Sequence, residues 1–234
     1  MHDHLVEFYE AEDLLVECVR DFFIPAMQAG EPVILVATPA HRAAFITVLE
    51  AGGQDIDTAR RNNLFVDLDA AETLARFMVD GLPDPELFVQ VVGALVRSTG
   101  HGSSGLRIYG EMVALLWAEA NQEAALRLET LWNKLSIHQP FTLLCAYPLS
   151  SIEWAPDTVG FRRICSTHSS VRVRFTDPLT RAEAVEPAPA DQFARLQGMG
   201  SDLTALKEVI RNANQMGRLA ENTKTFSSGP GGAA

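Results

Sequence analysis

Cysteine, lysine and long apolar runs are all scarce in this sequence, and each shortage excludes something. The three cysteines, Cys18, Cys145 and Cys165, are odd in number and set among apolar neighbours. Buried free thiols in a reducing compartment are therefore expected rather than a disulfide framework. None has a second metal ligand at short, regular spacing, so no metal motif is legible. The only lysines are Lys134, Lys207 and Lys224. None stands at a strand-to-helix turn, and the phosphate-loop pattern Gly-x-x-x-x-Gly-Lys-Ser/Thr is absent from the sequence. Apolar runs such as "VILVA" fall far short of the ~18 residues needed to cross a bilayer, so no membrane association is expected. The stretch "MHDHLVEFYEAEDLL" is acidic where a secretory leader would be basic, which points to the cytoplasm. Positive charge is scarce as well. With 19 Lys and Arg against 30 Asp and Glu, the net charge is −11, and no basic cluster offsets it locally. Direct nucleic-acid binding is not expected.

What is present is an alternation of strands and amphipathic helices in a chain that is 47% apolar and 21% charged, values ordinary for a globular protein. "HLVEFY" (4–9) has strand character, and the following "EDLLVECVRDFFIPAM" places Leu15, Val19, Phe22, Phe23 and Met27 on one helical face. "EPVILVAT" (31–38) is a β-branched run without polar interruption, as expected of a strand covered on both faces. Thr38 and Pro39 supply an N-cap and a first-turn proline for "AHRAAFITVLEAG", which stops at Gly52 and Gly53. The cycle then repeats. "NLFVDLD" is a strand, with Asp69 or a neighbour capping the helix "AAETLARFMVDG". A second helix, "DPELFVQVVGALVRSTG", follows Pro83-Asp84-Pro85. "LRIYGEMV" is a strand, "EAALRLETLWNKLS" a helix after Asn121, and "FTLLCAYP" a fifth strand ended by Pro148. This order predicts an α/β fold, a parallel sheet with helices on both faces in three layers.

The α/β domain is expected over 1–176, followed by a Pro/Ala-rich linker over 177–190. Over 191–223 a helix carries Leu196, Met199, Leu203, Leu206, Ile210 and Ala213 at alternating spacings of three and four. That seam is short for a coiled coil, and two readings stay open: a homodimer through this helix, or packing against its own domain. The segment 224–234, rich in Gly and Ala, is flexible by composition.

Gly100, Gly102 and Gly105 form a Gly-x-Gly-x-x-Gly run. A dinucleotide fingerprint needs the order strand, glycines, helix. Here the order is helix, glycines, strand, so the run is assigned to a flexible connection. No Gly-x-Ser-x-Gly elbow is present, and the "HDH" of residues 2–4 is a weak metal signal, more often left solvated. His41 and His168 are assigned structural or solvent-facing roles over catalytic ones. Glu111 is the most informative acid. Its carboxylate either points into the crevice at the carboxyl edge of the sheet, where open α/β folds bind ligands, or caps the following helix.

Taken together, "HLVEFYE", "GEPVILVATPAHRAAF", "DLDAAETLARFMVDGLPD", "RIYGEMVALLW", "AALRLETLWNKL" and "FTLLCAYP" resemble the MEDS domain, the methanogen/methylotroph DcmR-type sensory domain. The resemblance covers roughly residues 2 to 172 in order. It implies a RecA/KaiC-like α/β core without a phosphate loop, and a sensory role for small organic compounds such as hydrocarbon derivatives. Family members occur fused to DNA-binding or signalling modules; this sequence has no helix-turn-helix segment and no kinase motif. Any output is therefore expected to pass through a signalling partner protein or through the C-terminal helix.

The residues agree with the loss of nucleotide hydrolysis. The first strand-to-helix turn carries Glu10, Glu12 and Asp13 in place of glycines and a lysine, and acids repel a triphosphate. Phe8, Tyr9, Tyr109, Met112, Trp117 and Trp132 line an apolar cleft or, for the tryptophans above all, fill the core. Tyr9, Glu10, His41, Tyr109, Glu111 and Asn133 are the candidate ligand-binding residues. The sequence thus points to a non-enzymatic sensor with no cofactor, no catalytic residue and no metal ligand. A ligand-free protein-interaction scaffold and a residual nucleotide binder remain as alternatives.

Overall fold

The computed structural model describes residues 3–100, 105–151 and 159–176. The linker, the heptad helix and the terminal segment expected beyond residue 176 lie outside the described residues, as do residues 101–104 of the glycine run. Strands β1 (His4–Tyr9), β2 (Val33–Ala37) and β3 (Phe65–Asp69) agree with the hydrophobic pattern. β2 is buried along its whole length, the environment its β-branched run demands. Helix α1 (Glu12–Gln28) follows β1, and α2 (Pro39–Ala51) follows β2. Thr38 caps α2, its hydroxyl accepting from the His41 backbone N–H. A short helix that the periodicity does not reveal, α3 (Ile56–Arg61), is capped by Asp55.

Past β3 the structure corrects two expectations. Asp69 caps α4 as expected, but α4 spans only Ala70–Ala75. The rest of the expected helix is a tight hairpin of β4 (Met78–Val79) and β5 (Leu82–Pro83). Asp80 and Gly81 both take positive φ, 48° and 79°, the conformation that a two-residue Asp-Gly hairpin loop prefers. Helix α5 (Pro85–Phe88) begins at the Asp84 cap and passes through a π-helical turn, Val89–Gly93, into α6 (Ala94–Gly100). The second correction concerns "LRIYGEMV". Strand β6 is Arg107–Gly110 and stops there, while Met112 opens α7 (Met112–Ala118). Asn121 caps the long helix α8 (Gln122–His138), and β7 (Thr142–Pro148) follows. Helix α9 (Val159–Thr167) then delivers an additional strand, β8 (Ser170–Arg174).

The main sheet has six strands in the order β3-β2-β6-β7-β1-β8, and every pairing in it is parallel. Two apolar layers flank it. Leu15, Val19 and Phe23 of α1 and Phe45 and Leu49 of α2 pack on one face. Phe88, Trp117, Leu128 and Trp132, from the helices that follow β3, pack on the other. The result is a three-layer, RecA-like α/β domain. Its chain reversals are dictated by handedness: right-handed crossovers put α1 to α3 on one face while the chain moves toward β3, and the later helices on the other face as it moves back.

Candidate functional site

Neighbouring strands β2 and β6 send their following helices, α2 and α7, to opposite faces, and a crevice opens between the two carboxyl ends. Glu111 sits there. Its backbone N–H donates to Val36 O at 2.9 Å, which seats the residue against the end of β2. Although it occupies the N-cap position of α7, its side chain makes no cap bond. The carboxylate reaches across the crevice instead. Oε2 accepts from the Thr38 backbone N–H at 2.8 Å, and Oε1 lies 2.5 Å from His41 Nδ1. Of the two readings of Glu111, the crevice is the one the fold adopts.

His41 stands in the first turn of α2, and its other ring nitrogen, Nε2, is 2.6 Å from Glu12 Oε2 in α1. With an acceptor carboxylate at each nitrogen, the ring donates from both, which is the imidazolium form. The hydrogen bond to Glu111 raises the His41 pKa above its ordinary value; burial opposes the rise, and Glu12 adds to it. The Glu111–His41–Glu12 chain runs from the interior to water: the three side chains are 8%, 20% and 65% exposed. The β1–α1 connection beside it consists only of Glu10 and Ala11, too short to wrap a phosphate chain.

Two tyrosines back this chain. Tyr109 of β6 is fully buried, edge-on to Phe45, and its hydroxyl has no hydrogen-bond partner among the described residues. Burial, with Glu111 and Tyr9 nearby, holds the Tyr109 pKa well above the ordinary phenol value. Tyr9 is also buried, and its pKa is raised by burial and by Glu12 and Glu111. Glu10 does not join them. Its Oε2 accepts from the Thr176 backbone N–H at 2.6 Å and from the Thr176 hydroxyl, fastening the chain just after β8. Phe8, Met112, Trp117 and Trp132 belong to the core on the other face of the sheet.

The family model that matches this chain covers residues 3–169 and describes the MEthanogen/methylotroph, DcmR Sensory domain, MEDS. The chain belongs to the MEDS family. Comparison with curated proteins returns no match. A sensory role in general comes with the family, and the crevice residues Glu12, His41, Tyr109 and Glu111 all fall within the matched stretch. No helix among the described residues of this MEDS domain is long and apolar enough to cross a membrane.

Asn133, grouped with the crevice residues by sequence, is placed elsewhere in the MEDS domain, because α8 carries it to the amino-terminal end of β1. Its Oδ1 is 2.9 Å from His4 Nδ1, and its Nδ2 donates to Thr167 O at 2.8 Å. His4 is not solvated, as the "HDH" reading expects, but 8% exposed. It faces Glu129 of α8, Cys145 of β7 and His168, all buried, with ligand-type atoms within 4.8 Å of one another. Burial works to raise the Glu129 pKa, but His168 and His4 outweigh it and hold the carboxyl far below the usual range. Sequence reasoning missed this cluster because its members come from four separate elements. The signal available was the placing of Glu129 among leucines on the inward face of an amphipathic helix.

Proposed function

We propose that this MEDS domain is a non-enzymatic sensor that binds a small organic molecule at the carboxyl-edge crevice and signals through a partner protein. The observation that carries this reading is Glu111, a buried carboxylate whose partner is a partly exposed imidazole. A ligand with a hydrogen-bond-donating group can take the place of His41 on Glu111. The unpartnered Tyr109 hydroxyl beside it supplies a second polar contact, and the aromatic surroundings accept the apolar remainder. Displacing His41 also breaks its bond to Glu12, so occupancy is felt in both α1 and α2. That gives the ligand differential affinity for two arrangements of the α1–α2 layer, the requirement for a switch.

The test combines native mass spectrometry of the purified full chain with thermal unfolding against a panel of small alcohols, amines and halogenated or oxygenated hydrocarbons. A hit should raise Tm in the wild type, and Glu111→Gln and Tyr109→Phe should abolish the rise while keeping the native circular dichroism. A ligand whose stabilisation survives both substitutions binds elsewhere and removes the crevice from the account.

A further inference from the structure

The cluster at the amino-terminal end of β1 has no role in the sensory reading, and it brings four metal-ligating side chains together. Glu129 Oε2 lies 3.1 Å from His4 Nε2 and 3.7 Å from Cys145 Sγ. Cys145 Sγ is 3.5 Å from His4 Nε2, and Glu129 Oε1 is 3.4 Å from His168 Nε2. Around a tetrahedral zinc ion, ligand atoms are separated by about 3.3 Å for nitrogen or oxygen pairs and about 3.5 Å where one is sulfur. These four spacings, three of them taken to the two oxygens of Glu129, fall around those values, and the remaining pairs of the cluster lie within 4.8 Å.

The second observation is the orientation of the two imidazoles. His168 Nδ1 lies 2.6 Å from Ile164 O, an acceptor only, so this nitrogen carries the proton. The Asn133 amide is oriented by its bond to Thr167 O and turns its oxygen toward His4 Nδ1, which carries a proton for the same reason. In both rings Nε2 is then the nitrogen turned toward the buried Glu129 carboxylate. Among the described residues the buried His168 Nε2 makes no hydrogen bond of normal geometry, the Glu129 Oε1 3.4 Å away being the group it faces. Two imidazole nitrogens directed at a buried anion, away from water, require positive charge there, either a proton on a ring or a metal ion between them. Metal-bound histidines show the same arrangement, the outer nitrogen donating to a carbonyl and the inner one to the metal. Glu129 is oriented in turn, accepting from the Tyr147 hydroxyl at 2.8 Å.

We propose that His4, Glu129, Cys145 and His168 form a buried four-ligand site for a divalent transition metal, with zinc the ion whose preferences it meets. Two imidazoles, one carboxylate and one thiolate suit zinc or its spectroscopic substitute cobalt(II), and not magnesium or calcium, which take oxygen. Cys145 binds as the thiolate, its proton leaving to solvent. The ligands come from β1, α8, β7 and the connection between α9 and β8, so the ion ties edge strand β8 to the centre of the sheet. The His4 side chain is 10% exposed while those of Glu129 and His168 are fully buried, and the ion is therefore acquired during folding and exchanges slowly. This proposal is independent of the crevice.

The test uses the untagged full chain, expressed in zinc-supplemented or cobalt-supplemented medium and purified without chelator. One metal per chain is expected by elemental analysis. The cobalt form should show intense tetrahedral ligand-field absorption with a sulfur-to-cobalt charge-transfer band. Cys145→Ser should lose that band and His168→Gln most of the metal. The metal-bound form should melt roughly 10 °C above metal-free protein. Folded protein that is metal-free from both media overturns the proposal, and so does a cobalt spectrum without thiolate character. In that case a proton shared with Glu129 is the cation.

Discussion

His41 and Glu111 are 70 residues apart in sequence, and their side chains meet at 2.5 Å across the gap between β2 and β6. The bond raises the His41 pKa, so the folded state holds a proton more tightly than the unfolded chain does. Its stabilisation is fully present below the ordinary imidazole value of 6.5 and is lost as pH rises through the raised value. Glu111→Gln should cost about 1–3 kcal/mol below that window, as for other hydrogen bonds to charged groups, and progressively less above it. Thermal unfolding of both proteins from about pH 6 to 9 would display this as a gap in Tm that narrows with rising pH. A gap independent of pH would mean that His41 is not the proton holder.

Glu129 is a fully buried anion facing His4, His168 and the Tyr147 hydroxyl. Glu129→Gln removes the charge and leaves its partners buried without it, whether the opposing cation is a proton or a metal. Breaking such an arrangement costs about 3–5 kcal/mol. At about 2–4 °C per kcal/mol for a chain of this size, Tm should fall by roughly 6–20 °C. Tyr147→Phe, which removes a single hydrogen bond, should cost only about 1–3 kcal/mol.

Asp67 of edge strand β3 joins Arg42 of α2 and Arg60 of α3. Burial works to raise its pKa, but the hydrogen bonds from Arg42 and Arg60 outweigh it and hold the value below 3.8. Its contribution is therefore present above the unfolded value and lost as pH falls through the lowered one. Asp67→Asn should reduce the urea midpoint at neutral pH by the equivalent of about 1–3 kcal/mol and have little effect in acid below both values. Equal losses at both pH values would exclude the two arginines as the source.

Trp132 is 2% exposed and packs edge-on to both Phe88 and Phe141, with ring centroids 5.3 Å and 5.7 Å away. Trp132→Ala should destabilise by about 3–5 kcal/mol through the cavity it leaves, and Trp132→Phe by less. Chemical denaturation with an unchanged m-value would show that the loss is packing in the folded state rather than a change in the unfolded one.

The elements themselves were written in local chemistry. Thr38, Asp69, Asp84 and Asn121 stand at their helix starts and cap them. The unbroken "VILVA" run forms a strand with no exposed residue. Where local reading failed, a second local signal was present and outweighed. Residues 70–81 have helical periodicity, but Asp80-Gly81 turns the chain into a hairpin. Gly110 ends β6 one residue before the acid that the same apolar run placed inside the strand.

Strand, helix and cap thus follow from the sequence by itself, because each depends on residues within a turn or two of one another, and alternation of strand and helix is enough to require a parallel three-layer sheet. Side-chain neighbours across the sheet do not follow in this way. A hydrophobic period says which face of an element points inward, not what it meets there. Strand order decided that His41 of α2 reaches Glu111 at the end of β6, and that Asn133 leaves the crevice for the far end of β1. The parallel register of β1 on β7 and the return of the chain through α9 brought His4, Glu129, Cys145 and His168 together from opposite ends of the domain. Contacts between residues so far apart in sequence exist only once the whole sheet has formed, and the tertiary structure alone decides them.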